Sequence, residues 1–318
     1  MTKALAKTDT DKGLALVARA KDYIADSVAD NTKRGYASDF RQFSAWCQSA
    51  GFQSLPADPA TVAAYFSAMA DSGKKPSTID RARAAIKMAH ETAGAADPTS
   101  HKHVKLTLKG IRRTVGTAKA KKSPILATDV RAMAASLPAG LIGVRDRALI
   151  LVGFAGAFRR SEVAGIAVEH IEHTAEGIKV FLPKSKTDQE GQGRYVGIKR
   201  GANPATCPVR ALAAWCEAAG VTSGPIFRRV DRHGKVREAI TPQSVALVVK
   251  RAAVAAGLDS AKYSGHSLRA GFVTQGALNG ASETNIMRQT GHTSHATVRG
   301  YIRIANIFKD NVSGMLGL

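Results

Sequence analysis

Acidic residues are scarce in this chain. Among 318 residues, 25 Asp and Glu stand against 46 Lys and Arg, a formal charge of +21. Solubility alone needs no such imbalance, so an extended polyanion is the natural partner. Long apolar runs are also missing: stretches such as Ala148 to Phe154 fall far short of the roughly 20 residues a spanning helix needs, so no membrane partner is expected. Cysteine is sparse too. Cys47, Cys207 and Cys216 are odd in number, far apart and without CxxC or Cys/His spacing, which speaks against a disulfide framework or a zinc site. Reduced thiols in a cytosolic protein are expected instead. The opening residues Met1 to Asp9 carry lysines but no apolar stretch with a cleavage site, so no secretory signal and a cytoplasmic location are expected. The chain also lacks a P-loop and a paired-carboxylate magnesium site, and no cofactor and no metal are expected.

What is present divides into two parts. Up to about Val115 every apolar pattern has a helical period. Tyr36, Phe40, Phe43 and Cys47 recur at three- and four-residue steps before Gly51 ends a helix, and Asp58-Pro59 opens the next as N-cap and first residue. Further helices follow Pro76-Ser77 and run from Thr99 to Ile111, which makes residues 1–115 an all-α domain. Residues 116–124, Gly-Thr-Ala-Lys-Ala-Lys-Lys-Ser-Pro, have no apolar period and read as a basic linker. Residues 125–318 read as a mainly α, α+β domain: a buried helix over Val144 to Gly156, then three short antiparallel strands at Ile171 to His173, Ile178 to Leu182 and Arg194 to Ile198. The last two strands are joined through a turn at Asp188 to Gly193. Helices resume over Cys207–Ala219, Thr241–Ala256, His266–Leu278 and Glu283–Thr290.

The chemistry gathers near the C-terminus. His266 and Arg269 are spaced to leave one face of a helix, Gly291-His292 follows, and Tyr301 stands in Gly300-Tyr301-Ile302-Arg303. An arginine fork matches phosphate oxygens, histidine moves protons near neutral pH, and a tyrosine oxygen can form a phosphoester. Upstream, Arg159 and Arg160 sit where the buried helix meets the next one, with Glu162 beside them; a charge there needs an anion, supplied by Glu162 or by a phosphate. Lys184 and Lys186 lie in the strand turn, where an ammonium is a good proton donor to a departing oxygen.

These motifs resemble the tyrosine recombinase (phage integrase) family over nearly the whole chain, and the tail resembles the Cre branch in particular. The family's Arg-x-Ser/Ala-Glu box falls on Arg159, Ser161 and Glu162, its strand-turn lysine on Lys186, its His-x-x-Arg on His266 and Arg269, its Gly-His on Gly291 and His292, and its nucleophile on Tyr301. Arg160 and Lys184 are the alternative candidates at their positions. The resemblance implies a site-specific DNA recombinase that cuts and rejoins duplex DNA through a 3′-phosphotyrosyl intermediate and a Holliday junction, with a helical core-binding domain and a catalytic domain clamping the duplex. It implies a homotetramer on two DNA sites. The apolar stripe of Ile307, Phe308, Val312, Met315 and Leu316 in the tail needs a groove, either on its own domain or, as the resemblance to the Cre branch implies, on a neighbouring protomer. A type IB topoisomerase and a non-catalytic DNA-binding protein are the rival readings. Base readers are sought on the helix around Pro242 to Ala252 or on Ser77 to Ala89 with Arg81, Arg83 and Lys87.

Overall fold

A computed structural model describes residues 13–20, 23, 28–118, 122–185, 188, 191–305 and 312–316. Lys186 lies outside the described residues, as do Ile307 and Phe308 of the expected tail stripe. The chain forms two compact units, residues 1–120 and 121–318.

The first unit is helical throughout its described part, with α1 at Asp30–Ala50, α2 at Pro59–Asp71, α3 at Pro76–Thr92 and α4 at Lys102–Val115. Local chemistry sets the ends. Gly51 adopts φ 75° and closes α1, and the Asp58 carboxylate accepts the Ala60 N–H at 2.7 Å to open α2. The expected helix from Thr99 starts later. Asp97 and Pro98 spend themselves on a single 3-10 turn, Pro98–Ser100, and extended His101 then caps α4. Phe43, Val62, Phe66, Ile79, Ile86 and Val104 form the core with no exposed surface. Within it His90 is satisfied on both sides, with Nδ1 at 2.8 Å from the Ile86 carbonyl and Nε2 accepting the Ala57 N–H at 2.8 Å.

The second unit begins with residues 122–126 fastened to its own body. The Ser123 N–H donates to Lys262 O and the Ile125 N–H to Ser267 O. Its helices are α5 (Ala127–Ala135), α6 (Leu141–Ala155), α7 (Arg160–Gly165), α8 (Pro208–Ala219), α9 (Pro242–Ala255), α10 (Ser267–Leu278), α11 (Glu283–Thr290) and α12 (His295–Ala305). Strands β1 (Ile171–His173), β2 (Gly177–Leu182) and β3 (Arg194–Lys199) make an antiparallel sheet in that order. This is the sheet expected from the sequence. A second hairpin, β4 (Arg228–Val230) with β5 (Val236–Ala239), has no apolar alternation to announce it. Its turn is held by Asp231, which accepts the His233 and Lys235 N–H groups and pairs with Arg237. Helix α6 is buried on nearly every side and runs through the main core with Ile125, Phe158, Trp215 and Phe227.

One glycine decides how the chain enters this unit. Gly271 lies mid-α10, and a Cβ there would sit 1.7 Å from the Ile125 carbonyl oxygen. The segment before α5 can cross α10 this closely because that side chain is missing. Among the described residues no helix is long and apolar enough to cross a membrane.

Candidate active site

Segments from four parts of the second unit converge on one guanidinium. Arg269, one turn into α10, is 1% exposed. Its Nη1 donates to the Ala157 carbonyl at 2.8 Å, while Nε and Nη2 are buried with no hydrogen-bond partner. Buried polar groups are normally satisfied, so the two spare guanidinium nitrogens are donors suited to an anion. Ala157 is the non-glycine residue with positive φ among the described residues, at 51°, and that strained turn is what aims its carbonyl at Arg269. Burial pushes the Arg269 guanidinium down to about 10, Arg159 and Arg194 add to this, and Glu162 and Tyr301 oppose it.

Arg159 stands in extended backbone before α7. Its N–H donates to Glu162 Oε2 at 2.8 Å and its Nη1 to Oε1 at 2.6 Å, so one buried carboxylate both caps the helix and holds the guanidinium. Arg160, next in sequence, is exposed. A third guanidinium joins them. Arg194, opening β3, donates from Nη1 to the Gln289 carbonyl at 3.0 Å and brings Nη2 to 3.7 Å from Glu162 Oε2. Burial, with Arg159 nearby, lowers its pKa while Glu162 raises it. One carboxylate thus faces three guanidiniums, and the cluster keeps a strong positive excess where a phosphate would be compensated.

His292 follows α11. Gly291, at φ 64°, ends that helix and turns the chain, and a Cβ on it would lie 2.8 Å from Arg194 Nε. The His292 Nδ1 is 2.8 Å from Thr290 Oγ1. Burial, followed by Arg269, Arg159, His266 and Arg194, pushes the imidazole down to about 4. His266 is exposed and occupies the N-cap of α10 instead of its first turn. The helix starts one residue later than expected, at Ser267, but His266 keeps helical backbone angles, φ −87° and ψ −14°, and its imidazole lies within reach of the cluster's field.

Tyr301 lies on α12, half-buried with Met287 and Ile302 against Val273, Ala277, Ile286 and Val298, and within the field of Arg269. Helix α12 is tied to the start of α11 by Glu283, which takes His295 Nδ1 at 2.5 Å and Arg299 Nε at 3.1 Å. In the described part of the turn that follows β2, Asp188 accepts the N–H groups of Gly191, Gln192 and Gly193, and Lys184 is exposed.

Arg159, Glu162, His266, Arg269, His292 and Tyr301 therefore share one neighbourhood. Arg194, Thr290, Gln289 and the Ala157 carbonyl belong to it as well, although motif reading passed over them. Arg194 carried a signal: it falls on the same strand face as buried Val196 and Ile198, an inward position where an arginine needs a reason. On α3, Asp39 takes Nε and Nη2 of Arg81 at 2.6 and 2.8 Å, and the side chain stays 56% exposed.

A helical first unit is followed by a helical unit with a small sheet, and the second unit holds a buried arginine cluster within the field of a tyrosine. Residues 125–306 match the phage integrase family, and residues 22–95 match its N-terminal SAM-like domain. An integrase/recombinase xerD homolog of Selenomonas ruminantium is 40% identical over 311 residues, 96% of this chain and 90% of that one. Tyrosine recombinase XerD of Pseudomonas aeruginosa is 23% identical over 89% of this chain and 90% of its own length. The fold is shared with a lambda integrase dimer bound to a COC′ core site, with TM-score 0.60 and 17% identity over 95% of this chain and 81% of that one. It is shared also with XerH recombinase bound to a palindromic difH substrate, with TM-score 0.61 and 17% identity over 82% and 73%. The chain belongs to the phage integrase family, and it is a tyrosine-type site-specific DNA recombinase.

Proposed function

We propose that the chain exchanges DNA strands through Tyr301. Arg159 and Arg269 clamp the non-bridging oxygens of the scissile phosphate, His292 adds a hydrogen bond, and Glu162 holds Arg159 in place. The Tyr301 oxygen attacks phosphorus as its proton passes to His266. The bond from phosphorus to the 5′ oxygen breaks, and Lys186 protonates that oxygen as it leaves. The product is a 3′-phosphotyrosyl link and a free 5′-hydroxyl. Because the link keeps the energy of the broken diester, a 5′-hydroxyl of the partner duplex can reverse the step, first into a Holliday junction and then into recombined duplexes.

The observation that carries this reading is Arg269, fully buried with two unpartnered nitrogens beside Arg159 and His292 and in the field of Tyr301. A core arginine without an anion would be a standing cost to the fold. Four copies on two duplex sites, with the C-terminal tail of each docking on a neighbour, complete the reaction unit; Val312 and Leu316 in that tail are 65% and 61% exposed in the single chain. The residue 1–115 region acts as the core-binding domain, residues 116–124 as the linker and residues 125–318 as the catalytic domain, in the cytoplasm with the DNA.

The test is a suicide duplex carrying the recombination site, which traps the covalent stage. Wild type should give a protein–DNA adduct that survives denaturation, and Tyr301→Phe should give none. An equal yield from the two proteins would overturn the assignment.

A further inference from the structure

The Thr290 hydroxyl is fully buried and meets partners of two kinds. It lies 2.7 Å from the Ile286 carbonyl oxygen, one turn back along α11, with the Met287 carbonyl oxygen farther off at 3.4 Å, and 2.8 Å from His292 Nδ1. A carbonyl oxygen accepts and cannot donate. Were the hydroxyl proton turned toward His292, two oxygen acceptors would face each other at 2.7 Å in a site closed to water, an uncompensated cost. The proton therefore goes to Ile286, and the hydroxyl has a lone pair left for His292. That lone pair needs a donor, so Nδ1 carries the hydrogen.

We infer that Thr290 is a positioning residue for His292: its hydroxyl accepts Nδ1–H, presents Nε2 to the scissile phosphate, and obliges Nε2 to gain a proton before it can donate there. The inference rests on the phosphate role given to His292 above and adds the atom and the protonation step. Positive groups act on the ring from three sides: Arg269 in α10 with His266 at its N-cap, Arg159 at the start of α7 and Arg194 from β3, while α12, packed against α11, brings Tyr301 to the same cluster. With no phosphate present they and burial keep the imidazole neutral, with its pKa at about 4. A bound phosphate cancels the repulsion of the guanidiniums and supplies an acceptor for Nε2–H. The imidazolium then has a partner on both nitrogens, Thr290 on one and the phosphate on the other. Arrival of DNA is thereby coupled to uptake of a proton at the reacting centre.

Two measurements on the full-length protein test this. In the first, 15N-histidine NMR of the DNA-free protein at neutral pH reads the His292 tautomer, with the resonance assigned by its loss in His292→Gln. Wild type should be Nδ1–H; Thr290→Val should shift the ring toward Nε2–H; Thr290→Ser, which keeps the hydroxyl, should restore Nδ1–H. In the second, binding of the suicide duplex is followed by calorimetry in buffers of different ionisation enthalpy. Proton uptake should fall by up to about one proton per protomer, relative to wild type, in both His292→Gln and Thr290→Val. An Nε2–H ring in wild type, a tautomer indifferent to Thr290→Val, or unchanged uptake in either variant overturns the inference. The NMR arm contains no DNA, so a failure of the strand-exchange reading, seen in the Tyr301→Phe adduct test, is scored separately. The serine variant separates loss of the hydroxyl from damage to packing.

Discussion

Arg269 shows how far one residue can carry an argument. As part of His-x-x-Arg it is a pattern that chance produces easily; at 1% exposure with two unpartnered nitrogens it carries the anion-clamp proposal. Its fork matters as much as its charge, because a bidentate contact to phosphate and the bond to the Ala157 carbonyl use different edges of one rigid plane. A lysine has the charge without the fork. Arg269→Lys should therefore bind duplex DNA nearly as well as wild type but form the covalent adduct about 100-fold or more slowly, in line with the loss of a transition-state donor. A single-turnover time course on the suicide duplex, set beside a filter-binding isotherm, separates the two effects; an adduct rate within threefold of wild type would count against the clamp. The logic of the motif was readable from residue types alone. The spare nitrogens were not, since burial depends on everything packed around them.

Elements place these residues through contacts that local sequence does not advertise. The segment before α5 crosses α10 at Gly271, where a Cβ would lie 1.7 Å from the Ile125 carbonyl oxygen and 2.6 Å from its carbon. Backbone cannot yield as a flexible side chain does. Gly271→Ala should lower stability by about 3 kcal/mol, despite the better helix propensity of alanine, because overpacking against main chain outweighs the gain. Chemical denaturation monitored by circular dichroism gives the value, and a stabilised variant would mean that the crossing is looser than described. The Arg194 link works at the same scale. It joins the Gln289 carbonyl at the end of α11 to the Glu162 carboxylate in α7, and so ties the segment before His292 to the one that holds Arg159. Helix periods, caps and the β1–β2–β3 alternation were legible because each is local. The β4–β5 hairpin and the 3-10 turn at Pro98–Ser100 were missed because side-chain bonds from Asp231 and Asp97, not apolar periodicity, hold them.

For the whole molecule, charge governs association. A formal +21 over 318 residues exceeds what the buried cluster consumes, and most of it remains on the surface for the DNA backbone. Binding of a nonspecific duplex should weaken by about 1,000-fold between roughly 50 and 200 mM salt, as expected for six or more phosphate contacts. A salt titration by fluorescence anisotropy measures the slope, and a nearly flat dependence would contradict a backbone-dominated interface.

The linear chain determined the helical periods, their caps, the positive balance and the order of arginine, lysine, histidine and tyrosine motifs, because these depend on neighbours a few residues apart or on composition. Tertiary packing decided that Glu162 serves Arg159, that Arg194 enters the site from a strand, that the Ala157 carbonyl meets Arg269, and that Thr290 assigns the His292 proton. Thr290 makes the contrast plain. Its place two residues before a histidine is sequence, but the direction of its hydroxyl follows from a carbonyl one helical turn away and from the exclusion of water, and those exist only once the chain has folded.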